Sequence, residues 1–154
     1  MKRRNFLAAA GAALFAGLGT AALAQAEAAI VVYKSPTCGC CEAWVKHLRD
    51  NGFAVTVHDV EDTGVHRARL GMPDRFGSCH TGRIAGYAIE GHVPAADIRK
   101  LLAQRPKAVG LAVPGMPVGS PGMEQGPRAD PFDVLLVRAD GGARVFSSYN
   151  KPRG

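Results

Sequence analysis

Three cysteines fall within the four consecutive positions Cys38-Gly39-Cys40-Cys41, between a short apolar run and a segment with helical periodicity. One further cysteine, Cys79, lies in a separate part of the chain. Cysteines this close together rarely bridge one another without strain, and they are poorly placed to cross-link distant elements. A pair of ordinary disulfides is therefore the less favoured interpretation. The cluster instead predicts a soft-metal or redox site that the rest of the fold presents.

Cys38 and Cys41 form a C-x-x-C motif at the predicted N-terminus of a helix. In such a position, free backbone N–H groups and the helix dipole favour the thiolate form of the first cysteine. The thiolate is both the nucleophile of redox catalysis and a metal ligand. The position of the motif therefore leaves both chemistries open.

Cys40 favours the metal interpretation. A dithiol catalyst needs one attacking and one resolving sulfur, and a third thiol beside them invites wrong pairings. A metal site gains from the third thiol, because soft thiolates select Cu(I) or zinc and can bridge several ions. If the fold brings Cys79 close, the candidate ligands are Cys38, Cys40, Cys41 and Cys79. Four such sulfurs suit a multinuclear Cu(I) cluster or, as the alternative, one tetrahedral zinc ion.

Four other side chains are candidates for additional ligands. His80 follows Cys79 directly, and His92 lies twelve positions later in the chain. Met116 and Met123 end two copies of Pro-Gly-Met in a long loop, and thioether sulfur is a soft ligand that suits Cu(I). The alternative roles are imidazoles satisfied within the fold and methionines that pin the loop to the core.

The chain begins with the pattern of a bacterial export signal, and residues 1–26 are expected to be cleaved. Residues 2–4 are basic, residues 6–23 are apolar, and residues 22–26 offer an A-x-A cleavage site. Residues 3–7 also match the twin-arginine pattern, so both the twin-arginine and the Sec routes remain open. An uncleaved membrane anchor is the alternative. The sequence predicts a periplasmic protein, in a compartment where thiols become disulfides unless a metal or a reductant prevents it.

Charge gives no support for a nucleic-acid partner. The formal net charge of the whole chain is +6, and it falls by three to +3 when Lys2, Arg3 and Arg4 are removed. No clustered run of basic residues follows the leader, as a nucleic-acid surface would require. No later stretch is apolar enough to cross a bilayer, so no membrane partner is expected beyond the export signal.

The mature part reads as a single domain over residues 27–154. Strands are predicted from β-branched or alternating apolar residues, and helices from apolar residues that share a face. The predicted order is strand 29–33, helix 41–50, strand 53–58, helix 65–70, one or two strands within 78–90, helix 95–104, an aperiodic loop 109–131, and strands 132–137 and 143–147. An Asp140-Gly141-Gly142 turn joins the last two strands as a hairpin. This order predicts an α/β sandwich with a mixed sheet, a long Gly/Pro/Met loop and a C-terminal β-hairpin.

Four blocks of sequence resemble the CopG-type family, small exported bacterial proteins associated with copper resistance and long filed as a domain of unknown function. The blocks are Ser35-Pro-Thr-Cys-Gly-Cys-Cys41 with Trp44, Ser78-Cys-His-Thr81, Gly86-Tyr87 with Glu90-Gly-His-Val-Pro94, and Gly110-Leu-Ala-Val-Pro-Gly-Met-Pro117 with Gly119-Ser-Pro-Gly-Met-Glu124. They occur in this order from about Ile30 to the C-terminus. Together they are far more specific than a single C-x-x-C.

The resemblance implies a thioredoxin-like fold, copper bound through the cysteines and a role in periplasmic copper homeostasis. Members of the family have been proposed to hold a cysteine-bridged copper cluster and to interconvert Cu(I) and Cu(II). Carried over to this chain, the ligands are Cys38, Cys40, Cys41 and Cys79. The expected partners are copper ions and other periplasmic copper-handling proteins.

Two other functions remain open. A thioredoxin-like thiol–disulfide oxidoreductase would use Cys38 as nucleophile and Cys41 as resolver and would not need Cys40. A zinc-stabilised structural module would lose its fold on chelation. Whether the protein is an enzyme, through copper redox activity, stays open at the level of the sequence.

Overall fold

The computed structural model describes residues 29–152, and the predicted export signal at 1–26 lies outside this range. The strands are β1 Ile30–Lys34, β2 Val55–Asp59, β3 His80–Ile84, β4 Tyr87–Glu90, β5 Gly110–Ala112, β6 Phe132–Val137 and β7 Ala143–Tyr149. The helices are α1 Gly39–Asp50, α2 Thr63–Arg69 and α3 Ala95–Gln104, with a 3₁₀ turn at Asp74–Phe76.

The described strands form one mixed sheet in the order β2-β1-β3-β4-β5-β6-β7. β1 runs parallel to β2 and antiparallel to β3, and β4 is antiparallel to β3 but parallel to β5. The pairing of Lys34 with His80 places the end of β1 beside the start of β3. This register brings the Cys38 loop next to Cys79.

Alternate residues of the central strands face two separate cores, as strand geometry requires. Ile89 and Leu111 join the larger core with the apolar faces of α1 and α3. Ala88 and Ala112 face the smaller core on the opposite side, which also holds Met72 beside the end of α2. Helices therefore cover both faces of the sheet, and the α/β sandwich with a mixed sheet is confirmed.

Helix α1 begins at Gly39, two residues before the predicted start at residue 41. Cys38 is its N-cap residue, so Cys40 and Cys41 lie in the first helical turn. Tertiary contacts also complete the start of α3, whose N-cap Pro94 provides no side-chain hydrogen bond. There the backbone N–H of Ala95 donates to His47 Nε2 at 3.1 Å.

The prediction of an uninterrupted loop over 109–131 is wrong at its first residues. Gly110–Ala112 forms β5, which lies between β4 and β6 and is buried along its length. Three residues are too few to show a period, so the sequence offered no signal for this strand. A Cβ atom at Gly110 would lie 1.8 Å from the Ala88 carbonyl oxygen, so the close approach of the two strands requires glycine.

The remainder of the predicted loop and the C-terminal hairpin of β6 and β7 are confirmed. Within residues 29–152, no helix is long and apolar enough to span a membrane. The first four strands and the three helices follow the predicted order β-α-β-α-β-β-α, with α1 leading away from the cysteine cluster.

Candidate metal centre

The four cysteines converge at the N-terminal end of α1. Their Sγ atoms all lie within 4.8 Å of one another. Cys40 Sγ lies 3.5 Å from Cys38 Sγ and 3.8 Å from Cys79 Sγ. The 3.8 Å between Cys40 Sγ and Cys79 Sγ equals the sulfur–sulfur separation in a tetrahedral site whose sulfurs each lie about 2.3 Å from one ion. The fold thus brings together all four predicted sulfur ligands.

One disulfide is present within the cluster, between Cys38 and Cys41, while Cys40 and Cys79 are free thiols. The expectation that such near neighbours rarely bridge one another does not hold for this pair. Their Cα atoms are 5.3 Å apart, because the first helical turn folds the C-x-x-C back on itself, and that separation suits a disulfide. The structure therefore shows the cluster with one pair oxidised.

Two buried imidazoles face Cys79. His80 Nδ1 lies 3.3 Å and His92 Nε2 lies 3.2 Å from Cys79 Sγ, and both rings are fully buried. The opposite nitrogens, His80 Nε2 and His92 Nδ1, contact the carbonyl oxygens of Gly91 and Pro121 at 3.0 and 2.8 Å. A carbonyl accepts only, so these nitrogens carry the protons. Both lone pairs are thereby aimed at Cys79, as in supported histidine ligands.

Burial sets the protonation states of this group. It raises the pKa of the Cys79 thiol to about 12, with Cys40 adding to the rise. Burial also lowers the pKa of His80 to about 3, with His92 contributing, and it lowers the pKa of His92. At neutral pH the metal-free group therefore holds a thiol and two neutral imidazoles. A metal ion that binds Cys79 must displace its proton, which couples binding to proton release.

An ion pair fixes the backbone on the N-terminal side of Cys79. Arg67 Nε donates to Glu90 Oε1 at 2.9 Å, and Arg67 Nη2 donates to the Ser78 carbonyl at 2.9 Å. The Ser78 N–H donates to the same Glu90 oxygen at 2.7 Å. Burial raises the pKa of Glu90, while the Ser78 N–H and Arg67 oppose the rise. Both polar groups of the Ser78 backbone are thus held by one buried pair.

A second charged group anchors the other side of the centre. Lys34 ends β1 and is 1% exposed, with its ammonium 2.7 Å from both Glu42 and Asp59 carboxylate oxygens. Its pKa is raised, first by the hydrogen bond to Asp59 and then by that to Glu42. The contacts join β1, β2 and α1 at the loop that leads into Cys38.

The Gly/Pro/Met loop covers the centre. Gly115 contacts Ser78 and Gly77, since its carbonyl accepts from Ser78 Oγ and its N–H donates to the Gly77 carbonyl. Further along the loop, Gly122 packs against the Cys40 carbonyl and the Trp44 backbone. The loop therefore touches both cysteine-bearing segments.

The two predicted methionine ligands both lie on this loop. Met116 is 51% exposed, next to the Gly115 contacts, and Met123 is half-buried beside Gly122. Their role as copper ligands stays a prediction. Trp44 lies fully buried below the cluster, with its ring centroid 4.3 Å from that of His80.

Sequence reasoning missed the supporting groups. Arg67 and Glu90 are 23 positions apart, and the only local signal was a charged residue closing the apolar strand β4. The backbone partners of the imidazoles, at Gly91 and Pro121, have no side-chain signature at all. These contacts could be found only from the fold.

The buried His80 predicts a loss of stability in mild acid. Its pKa is 6.5 when unfolded and about 3 when folded, so below pH 6.5 the unfolded chain takes up a proton that the folded chain excludes. The free energy of unfolding of the metal-free protein should therefore fall as the pH is lowered from 6.5, and the slope from this group should steepen to about 1.4 kcal/mol per pH unit near pH 5. Denaturant titrations at several pH values would measure the slope.

His80→Gln provides the comparison, because its amide N–H can still reach the Gly91 carbonyl without titrating. The slope of this variant should be shallower by about one proton, with His92 providing part of what remains. Equal slopes for the two proteins would contradict the assignment of the acid sensitivity to His80.

Comparison with known proteins finds one family model and two solved structures that match this chain. The family model described as "Protein of unknown function, DUF411" matches residues 76–123, which carry Cys79, both imidazoles and most of the loop. No curated protein matches the chain. Two solved structures of copper resistance protein CopG, forms 1 and 2, each share 53% identity with it. Each match covers 80% of this chain and 98% of the other, with a TM-score of 0.76.

The fold and the donor set define a small α/β-sandwich protein with a cysteine- and histidine-lined centre suited to a soft metal ion. Identity of 53% over nearly the whole length of a solved relative identifies the lineage. The chain belongs to the CopG family of copper resistance proteins.

Proposed function

We propose that this protein is an exported copper-binding protein of copper homeostasis and resistance. It binds Cu(I) through Cys38, Cys40, Cys41 and Cys79 as a cysteine-bridged cluster. The observation that carries the proposal is the convergence of four Sγ atoms, from two distant segments, to within 4.8 Å of one another. The relatives named as copper resistance proteins support copper over zinc as the ion.

More than one ion is favoured because Cys79 belongs to two donor groups. It lies in the four-sulfur group and also in a group with His80 and His92. A single tetrahedral ion cannot use all six of these donors, whereas a bridging thiolate can serve two ions. His80 and His92 are thus proposed as additional ligands, with Met116 and Met123 as soft donors on the covering loop.

The division of the donor atoms into a cysteine group and an imidazole group also supports a change in the oxidation state of the bound copper. Thiolates prefer Cu(I), while imidazoles also suit Cu(II). Copper shared between the cysteine side and the imidazole side through Cys79 has ligands for both states. Interconversion of Cu(I) and Cu(II) is therefore the redox part of the proposal.

Export to the periplasm is supported by two features. Residues 1–26 carry the basic, apolar and small-residue pattern of a signal sequence. A lasting disulfide such as Cys38–Cys41 is favoured in an oxidising compartment. Cys38 and Cys40 are partly exposed at the rim, where another exported copper carrier can exchange ions with them.

A Cu(I) titration of the anaerobically reduced protein tests the proposal. We expect more than one Cu(I) per chain, with near-ultraviolet thiolate–copper bands that rise until the cluster is full. Cys79→Ser should lower the number of Cu(I) ions bound per chain. It should also weaken Cu(I) binding by more than about 10- to 100-fold, which is the loss expected when a residue that only supports a ligand is removed. Metal analysis and a competing Cu(I) chelator measure the two quantities.

Thr37→Ala is the matched control, because Thr37 is an exposed neighbour of Cys38 whose hydroxyl contacts only Ser35 in the described structure. It should bind copper like the unaltered protein. A single Cu(I) whose binding survives Cys79→Ser would argue against the cluster, and stoichiometric zinc with no copper uptake would favour the zinc module.

The disulfide also favours a second candidate, a thiol–disulfide oxidoreductase. Cys38 is the partly exposed N-cap residue and Cys41 is fully buried, as expected of an attacking and a resolving sulfur. Reduction of insulin disulfides that vanishes in Cys38→Ser and persists in Cys40→Ser would support this function over copper storage.

A further inference from the structure

The donor atoms of the centre fall into a bonded pair and an unbonded set. Cys38 and Cys41 are joined as a disulfide, while Cys40, Cys79, His80 and His92 keep free donor atoms. The disulfide removes two of the four sulfurs from metal binding. What is left is two sulfurs and two imidazole nitrogens, a set with less affinity for Cu(I) than four thiolates.

We infer that the Cys38–Cys41 pair is a two-electron donor that reduces Cu(II) to Cu(I) at this centre. The inference rests on the proposed copper function and names the source of its electrons. In one cycle the two thiols lose two protons and two electrons and form the S–S bond. Two Cu(II) ions each gain one electron and become Cu(I), so charge and atoms balance.

The geometry selects this pair over the other two sulfurs. Cys40 and Cys79 Sγ are 3.8 Å apart and remain thiols, whereas the first turn of α1 holds Cys38 and Cys41 at bonding distance. Cys79 is also flanked by two nitrogens at 3.2 and 3.3 Å, so its sulfur lies between the imidazoles and Cys40 rather than at bonding distance from another sulfur. The remaining set therefore keeps its donors while the pair changes its redox state.

Oxidation of the pair also changes how tightly Cu(I) is held. Four thiolates are available before the reaction and two after it. Loss of two soft ligands favours release of part of the Cu(I) that has just formed. The reduction step is thereby linked to delivery of Cu(I) from the centre.

The spent pair is accessible for repair. Cys38 is partly exposed while Cys41 is fully buried, so an external thiol reaches the Cys38 sulfur. A protein dithiol can attack there and displace Cys41 as the leaving thiol. Completion of the exchange leaves the external partner as a disulfide and the chain with four thiols.

The test starts from the fully reduced chain, freed of reductant under argon. Two equivalents of Cu(II) are added with bathocuproine disulfonate, which reports Cu(I) by its colour. We expect two Cu(I) per chain, a fall from four thiols to two, and a Cys38–Cys41 bridge located by mass spectrometry. Chain carrying the preformed disulfide is the matched control, and its rate of Cu(I) formation should be at least tenfold lower.

Two variants test the assignment. Cys41→Ser should lower the initial rate at least tenfold, and Cys38→Ser, at a partly exposed position, covers the case in which the buried substitution prevents folding. Equal rates in the reduced and disulfide forms, a Cys40–Cys79 bridge, or Cu(I) formed without loss of thiols would each overturn the inference.

Retention of copper supplied as Cu(I) is measured on the same reduced sample. Protein that retains Cu(I) but does not reduce Cu(II) would overturn this inference and leave the proposed function standing. Protein that retains no Cu(I) would instead contradict the proposed function itself.

Discussion

Replacement of Glu90 by alanine is expected to lower the free energy of unfolding by about 3 to 5 kcal/mol. The carboxylate is fully buried and accepts from both Arg67 Nε and the Ser78 N–H. Its removal leaves a buried guanidinium without this partner and a backbone donor unpaired, which is the costly way to break an ion pair. Denaturant unfolding of the metal-free protein measures the loss.

Two variants separate the buried contact from the charge of Arg67. Glu90→Gln should lose less, because its amide oxygen can still accept from both donors. Asp74→Asn breaks the other ion pair of Arg67, at a carboxylate that is 91% exposed, and should change stability by no more than about 1 kcal/mol. Equal losses in the free energy of unfolding for Glu90→Ala and Asp74→Asn would show that the buried contact stabilises the fold no more than the exposed one.

Glu90→Ala should also disturb copper binding through Cys79. With Ser78 no longer held on both sides, Cys79 loses its fixed position relative to Cys40. We expect weaker thiolate–copper bands per folded chain in Glu90→Ala, and recovery in Glu90→Gln. A purely structural role would leave the bands of the folded fraction unchanged.

Gly122→Ala is expected to cost about 3 kcal/mol and to weaken copper binding about 10- to 100-fold. Gly122 has φ +85°, and a Cβ there would lie 2.7 Å from the Trp44 nitrogen and 2.9 Å from the Cys40 oxygen. Both are backbone atoms of α1, so the loop must move away. The neighbouring Pro121 carbonyl would then release His92 Nδ1, which it holds at 2.8 Å.

Gly126→Ala is the matched control on the same loop. Its φ is +66°, and a Cβ there meets nothing within 4 Å. It should show only the about 1 to 2 kcal/mol cost of a left-handed alanine, with copper affinity unchanged. Trp44, the single tryptophan of the chain, offers a fluorescence reading of copper at His80 in both variants. Equal copper affinities in Gly122→Ala and Gly126→Ala would show that the loop does not support His92.

Local patterns were sufficient for the elements that depend on nearby residues. The β-branched run of β1, the apolar face of α1 and the Asp-Gly-Gly turn of the hairpin each have a period or a turn signal within ten residues or so. Three-residue β5 has none, and its place in the middle of the sheet depends on its neighbours. Start points of helices moved by up to two residues, because capping contacts decide them.

In the candidate site, too, some features depend on nearby residues and others depend on the fold. The C-x-C-C spacing alone indicated soft-metal or redox chemistry, since the chemistry of a thiolate belongs to the residue itself. Nothing in the sequence pattern placed Cys79 beside it. That position follows from the antiparallel register of Lys34 with His80, while the register of Thr81 with Glu90 brings His92 to the same place.

The sequence by itself determined the kind of ligand, the order of the strands and helices other than β5, and the long loop beside the centre. Only the tertiary structure decided which donors meet, which nitrogen of each imidazole faces Cys79, and that Arg67 and Glu90 hold the Cys79 segment. The physical reason is the distance along the chain over which each property is decided. Residue chemistry and helical or strand period are local properties, whereas strand pairing and burial depend on contacts between residues far apart in the chain.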